Sequence, residues 1–108
     1  MKIYLVMIAM VKALAALSRK VQRFDPDLAR QMRRSSSSVP LNAVEGWHAY
    51  GGNRVARFTT AMTEARETTT ALDVSVAAEY LPPESVVDDL ERIDHIVATL
   101  WNMSGPRR

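Results

Sequence analysis

The side chains able to do chemistry in this chain are few, and their spacing says much about what they can do. Histidine occurs twice, at His48 and His95. A dinuclear metal site in a helical bundle needs paired Glu-x-x-His motifs, but the residue three before His95 is Arg92. Glu91 and His95 can share a helix face, yet one such pair is a surface contact rather than a ligand set. Ser35 to Ser38 form a run of hydroxyls with no base placed near them in sequence, His48 being the nearer of the two histidines. Cysteine is absent, which excludes a thiol nucleophile, a thiolate zinc site and a disulfide framework. Gly51-Gly52 is not followed by Gly-Lys-Ser/Thr, so no phosphate-cradling loop is present. No catalytic residue, metal ligand or cofactor is therefore expected, and the chain does not read as an enzyme.

Arginine is the side chain that clusters. Arg30, Arg33 and Arg34 are spaced to share one helix face, and Arg19, Lys20 and Arg23 lie just upstream. Guanidinium forks suit phosphates, and backbone contacts of this kind confer affinity without reading sequence. Arg54 and Arg57 extend the set of candidate nucleic-acid contacts to Arg19, Lys20, Arg23, Arg30, Arg33, Arg34, Arg54 and Arg57. The formal net charge is only +2, but it is unevenly spread. Residues 1–60 carry ten basic and three acidic groups, a net of +7, and residues 61–108 carry four basic and nine acidic, a net of −5. No aromatic stacking pattern is interleaved with the arginines.

Four amphipathic segments must position these groups. Ile3, Met7, Met10, Leu14, Leu17, Val21 and Phe24 form one seam at alternating spacings of four and three. A second is Leu28, Met32, Ser35, Val39 and Asn42. A third is Val55, Phe58, Met62, Ala65, Thr69, Leu72, Val76 and Tyr80, and a fourth Val86, Leu90, Ile93, Val97 and Leu100. No segment alternates with the period of a strand. Asp25-Pro26 can cap and open the second helix. Gly51-Gly52-Asn53 reads as a turn with Asn53 as N-cap, Pro82-Pro83 as the end of the third helix and start of the fourth, and Gly105-Pro106 as a stop. Short connections make successive helices antiparallel neighbours. The expected fold is all-α, an antiparallel up-down-up-down four-helix bundle. With 108 residues it makes a single domain over 1–104, and 105–108 form a short tail. Pro40 falls inside the second helix and predicts a kink that the neighbouring serines offset.

The first helix is apolar beyond its seam, at Leu5, Val6, Ile8 and Val11. Such a helix must be covered on both sides, which predicts a homo-oligomer with this outer face at the interface. Lys12 interrupts the apolar run, which is too short for a bilayer span, and no clean signal-peptide cleavage region follows. Neither a leader nor a membrane association is expected, and with no cysteine the expected compartment is the cytoplasm.

The stretch Gln31-Met32-Arg33-Arg34-Ser35-Ser36-Ser37-Ser38-Val39-Pro40-Leu41-Asn42-Ala43-Val44-Glu45-Gly46 resembles the signature of the 23S rRNA intervening sequence proteins, the S23 family. Matching positions are Gln31, Arg33, Arg34, Ser38, Pro40, Asn42, Glu45 and Gly46. Phe24-Asp25-Pro26 looks like the family's Phe-Pro turn. Arg57-Phe58, Ala61, Glu67 and Tyr80-Leu81 also fit. The sequence departs from the pattern at Thr63-Glu64, where the family has Gly-Ser, and at Trp47-His48. The resemblance implies an antiparallel four-helix bundle assembled as a cyclic pentamer, in bacteria, with a largely undefined role. A similar bundle is the accessory protein of diversity-generating retroelements, in which a basic pentamer binds nucleic acid and a reverse transcriptase. The implied partners are accordingly RNA or DNA and a protein such as a reverse transcriptase.

The basic cluster supports two roles. In one, the arginines face outward and bind RNA or DNA. In the other, the protein is a structural or protein-interaction oligomer, and Arg19, Arg23 and Arg30 pair internally with the acids of helix four (Glu84, Asp88, Asp89, Glu91 and Asp94), which begins at the same pole.

Overall fold

Apolar seams on the helices meet along one axis in the computed structural model, which describes residues 1–105. The helices are α1 (Ile3–Val21), α2 (Pro26–His48), α3 (Gly51–Ala77) and α4 (Val87–Met103), with a short 3-10 turn at Pro83–Ser85 before α4. There is no strand among the described residues. Each helix packs on the two expected neighbours, α1 against α2 and α4, and α3 against α2 and α4. This is the up-down-up-down bundle, a rod of 47 × 22 × 19 Å. The 27 residues of α3 account for the length, at about 1.5 Å of rise per residue. Among the described residues no helix is long and apolar enough to cross a membrane. Of the tail expected at 105–108, only Gly105 is described; residues 106–108 lie outside the described residues.

The seam of α1 is buried from Ile3 to Val21 as its spacing demands. Phe24 is the exception. It lies past the end of the helix and is 57% exposed. On α2, Leu28, Met32, Ser35 and Val39 are buried, and Ala43 and Gly46 replace half-buried Asn42 at the end of the seam. The helix runs unbroken through Pro40. Its serine hydroxyls bond one turn back or across to α3. Ser36 Oγ donates to the Met32 carbonyl at 2.7 Å, and Ser35 Oγ lies 2.8 Å from Thr68 Oγ1.

On α3 the buried face is Phe58, Ala61, Met62, Ala65, Thr68, Ala71, Leu72 and Ser75, with Arg54 at its start. Val55 is exposed, and Thr69 and Val76 are half-buried. Small side chains fill most of this face because α2 and α3 share the most extensive interface of the bundle. On α4, Asp89 and Ile96 are buried beside Ile93 and Leu100, while Leu90 and Val97 are only half-buried. That helix is thus rotated slightly from its expected azimuth.

One helix end follows expectation and two differ. Asp25 caps α2 as expected, its carboxylate accepting from Leu28 N–H at 3.0 Å. Asn53 does not cap α3. Its N-cap is Tyr50, three residues earlier, and Gly51 at φ +56 turns the chain. The end of α3 is set at Ala77 rather than by Pro82-Pro83. Glu79 adopts φ 64, Tyr80 N–H bonds the Ser75 carbonyl at 2.8 Å, and Glu79 N–H bonds that of Val76 at 3.0 Å. This is a Schellman ending with a glutamate where glycine is usual.

Candidate nucleic-acid interface

The eight basic residues singled out from the sequence separate into two groups. Arg54 is 7% exposed and cannot meet a nucleic acid. Its guanidinium donates to the carbonyls of Gly46 (3.1 Å), Trp47 (3.3 Å), Met103 (3.1 Å) and Gly105 (3.0 Å). It sits over the rings of Phe58 and Trp47, at 4.8 and 5.7 Å. One cation therefore closes the carbonyl ends of both α2 and α4, where the helix dipoles favour positive charge.

Arg57 and Arg34 are exposed but engaged. Arg57 Nε lies 2.9 Å from Glu45 Oε2, and its Nη1 donates to Asn42 Oδ1 at 3.3 Å. Arg34 bridges α2 to α3, pairing with Glu67 at 2.9 Å and Glu64 at 3.2 Å. The hydrogen bond to Glu67 and the charge of Glu64 raise its pKa further above its ordinary value.

These contacts place most of the signature stretch in one device. Asn42 Nδ2 donates to the Ser38 carbonyl and to Ser38 Oγ, both at 2.9 Å, while its Oδ1 accepts from Arg57. Glu45 holds the other edge of Arg57. Gly46 lets the helices touch, since a Cβ there would stand 3.2 Å from Arg57 Cβ and from the Phe58 ring. Pro40 is buried on the same helix. Gln31 stands apart on the α2–α3 surface. It lines a groove of about 510 Å³ with Arg34, Arg66 and Glu67.

Arg19, Lys20, Arg23, Arg30 and Arg33 are all exposed around the α1–α2 turn. Arg33 Nη1 donates to Gln22 Oε1 at 3.3 Å, which draws the face of α2 against the end of α1. Arg30 pairs with Asp27 at 3.1 Å, an exposed contact within its own helix. The expected pairing with helix four does not occur. Asp89 pairs with Arg92 of its own helix at 3.0 Å, and among the described residues no ion pair joins Arg19, Arg23 or Arg30 to α4. The acids that do pair across helices are Glu64 and Glu67 of α3, which hold Arg34 of α2. Burial raises the pKa of Asp89, against the lowering effect of Arg92.

On the outer face of α1, Leu5 is 73% and Ile8 40% exposed, and Tyr4 stands beside them. Val6 and Val11 differ from expectation, because both are half-buried against the bundle's own core. No group of His, Cys, Asp or Glu that could hold a metal ion occurs among the described residues.

Fold and surface together define an antiparallel four-helix bundle with a basic turn end and a signature motif that locks α2 to α3. The chain belongs to the 23S rRNA-intervening sequence protein family, whose model matches residues 1–102. It is similar in structure to a protein of unknown function from the S23 ribosomal protein family of Bacteroides thetaiotaomicron. The TM-score is 0.86 at 18% identity, over 94% of this chain and 97% of that one. No curated protein matches the chain.

Proposed function

We propose that this protein is a non-enzymatic, self-associating bundle that binds the phosphodiester backbone of RNA or DNA through its α1–α2 end. The observation that carries the reading is that Arg19, Lys20, Arg23, Arg30 and Arg33 are all exposed on the two helix ends flanking the α1–α2 turn, and among the described residues the ion pair they make is Arg30 with Asp27. An exposed pair of that kind is worth only about 0–1 kcal/mol and yields readily to a phosphate. Affinity would come from charge and would be indifferent to base sequence. Copies assembled through the outer face of α1, five in the ring that the family resemblance implies, would repeat the surface and multiply its avidity.

Fluorescence anisotropy with labelled RNA and DNA over a salt series tests this. Binding that weakens steeply with salt, and that Arg23→Glu or Arg33→Glu reduces, is the expected result. Absence of binding at low salt overturns it. Arg54 is buried, and Arg34 and Arg57, though exposed, are held by Glu64, Glu67 and Glu45, so these three belong to the framework rather than to the binding surface.

A further inference from the structure

A lone aromatic, Phe24, follows Arg23 in the sequence, and the fold brings a second ring to it. Phe24 and Tyr80, far apart in the chain, stack face to face at the basic end, with ring centroids 5.2 Å apart and planes 5° from parallel. Neither position is accidental. Phe24 continues the last turn of α1, its N–H bonded to the Val21 carbonyl at 2.9 Å. Tyr80 is delivered by the Schellman ending of α3, which the positive φ of Glu79 allows. Tyr80 covers one face of the Phe24 ring, and yet more than half of Phe24 meets solvent.

Basic groups surround this stack along the chain. Arg23 immediately precedes Phe24, and Arg19 and Lys20 occupy the preceding turn. Arg33 is held to Gln22, two residues before Phe24, at 3.3 Å. Of the acids close in sequence, Asp25 is occupied in capping α2 and Asp27 is paired to Arg30; Glu79 is exposed beside Tyr80, and Glu84 is exposed four residues further on. An exposed aromatic face beside cations is the arrangement that binds single strands: bases stack on the ring while phosphates meet the arginines. A duplex keeps its bases stacked on one another and has none to offer.

We propose that the Phe24–Tyr80 stack is a base-stacking platform, and that the nucleic acid this protein takes is single-stranded. The inference rests on the nucleic-acid reading above and adds the strand state and the aromatic contact. Phosphates contact Arg19, Lys20, Arg23 and Arg33, and an unpaired base lies on Phe24.

The test measures binding of labelled oligouridine and of an RNA duplex of equal length to the full chain, to Phe24→Leu and to Tyr80→Leu. Far-UV circular dichroism of each variant confirms the intact bundle. The expected result is a loss of about tenfold in oligouridine affinity for Phe24→Leu, a smaller loss for Tyr80→Leu, and an unchanged salt slope in both. Duplex affinity should not move. Oligouridine affinities within about twofold of the parent for both variants, or equal losses for duplex and single strand, overturn the platform while leaving the backbone contacts standing. Failure of the parent chain to bind either form at low salt overturns the nucleic-acid reading itself.

Discussion

Arg54, in the first turn of α3, donates from Nη1 to the carbonyl of Gly46 at 3.1 Å, and through that bond and three others it holds the ends of two helices at once. A guanidinium is suited to this task because its planar fork presents several donors in fixed directions and never loses its charge. Replacing it leaves buried carbonyls without their donor. Arg54→Ala should therefore cost roughly 2–4 kcal/mol. Thermal unfolding should fall by about 10 °C or more, at about 4–8 °C per kcal/mol for a domain near this size. Arg54→Lys should recover only part, because one ammonium cannot span both helix ends. A melting temperature unchanged in Arg54→Ala would contradict the clamp.

Gly46 and Gly52 should respond oppositely to alanine. At Gly46 the new methyl meets Arg57 Cβ and the Phe58 ring at 3.2 Å, and the ring is fully buried. The expected cost is about 1–2 kcal/mol from overpacking, after the helix-propensity gain of alanine is counted. At Gly52, inside α3, nothing lies within 4 Å of the new Cβ. Gly52→Ala should stabilise by about 0.5 kcal/mol. Urea unfolding midpoints of the two variants decide the matter, and loss of stability in both would contradict the packing described.

Asp89 supplies a pH dependence. Its carboxyl is harder to ionise in the folded protein than in the unfolded chain, because burial outweighs Arg92. The folded state thus binds the proton more tightly. The contribution favours folding below the ordinary carboxyl range and is lost as pH rises through the raised folded value. Asp89→Asn removes that slope. The stability of the parent relative to Asp89→Asn should be greatest in acid and should shrink toward neutrality, measured by denaturant unfolding from about pH 3 to 7. A gap that widens with pH would mean that the Arg92 pair dominates.

Self-association should depend on the outer face of α1. Leu5 and Ile8 are exposed there, and burying each in an interface is worth about 1.5–3 kcal/mol. Leu5→Glu and Ile8→Glu should lower the molar mass seen by light scattering and leave helical content unchanged. Val6→Glu should instead damage the bundle, since Val6 packs against its core. A parent chain that stays monomeric at micromolar concentration would remove the interface.

The sequence by itself determined four helices, their order and their antiparallel arrangement. Periodicity and capping are local, so Ile3 to Val21 and the Asp25 cap are legible from spacing and residue type. The resemblance in residues 31–46 placed the family, but not what each motif residue does. Only the tertiary structure decided which cations are free. Arg54 looks like any surface arginine in sequence; its partners are carbonyls at the ends of α2 and α4, groups that every residue carries and no sequence marks. Arg34 finds Glu64 and Glu67 thirty and thirty-three positions along the chain, a pairing set by which faces of α2 and α3 meet. Phe24 fits the seam of α1 by spacing, yet the helix stops at Val21 and the ring turns out to stack on Tyr80. Helical spacing assigns a side chain to a face; the azimuth of that face against its neighbours, and the place where the helix lets go, are settled by packing between segments distant in the chain.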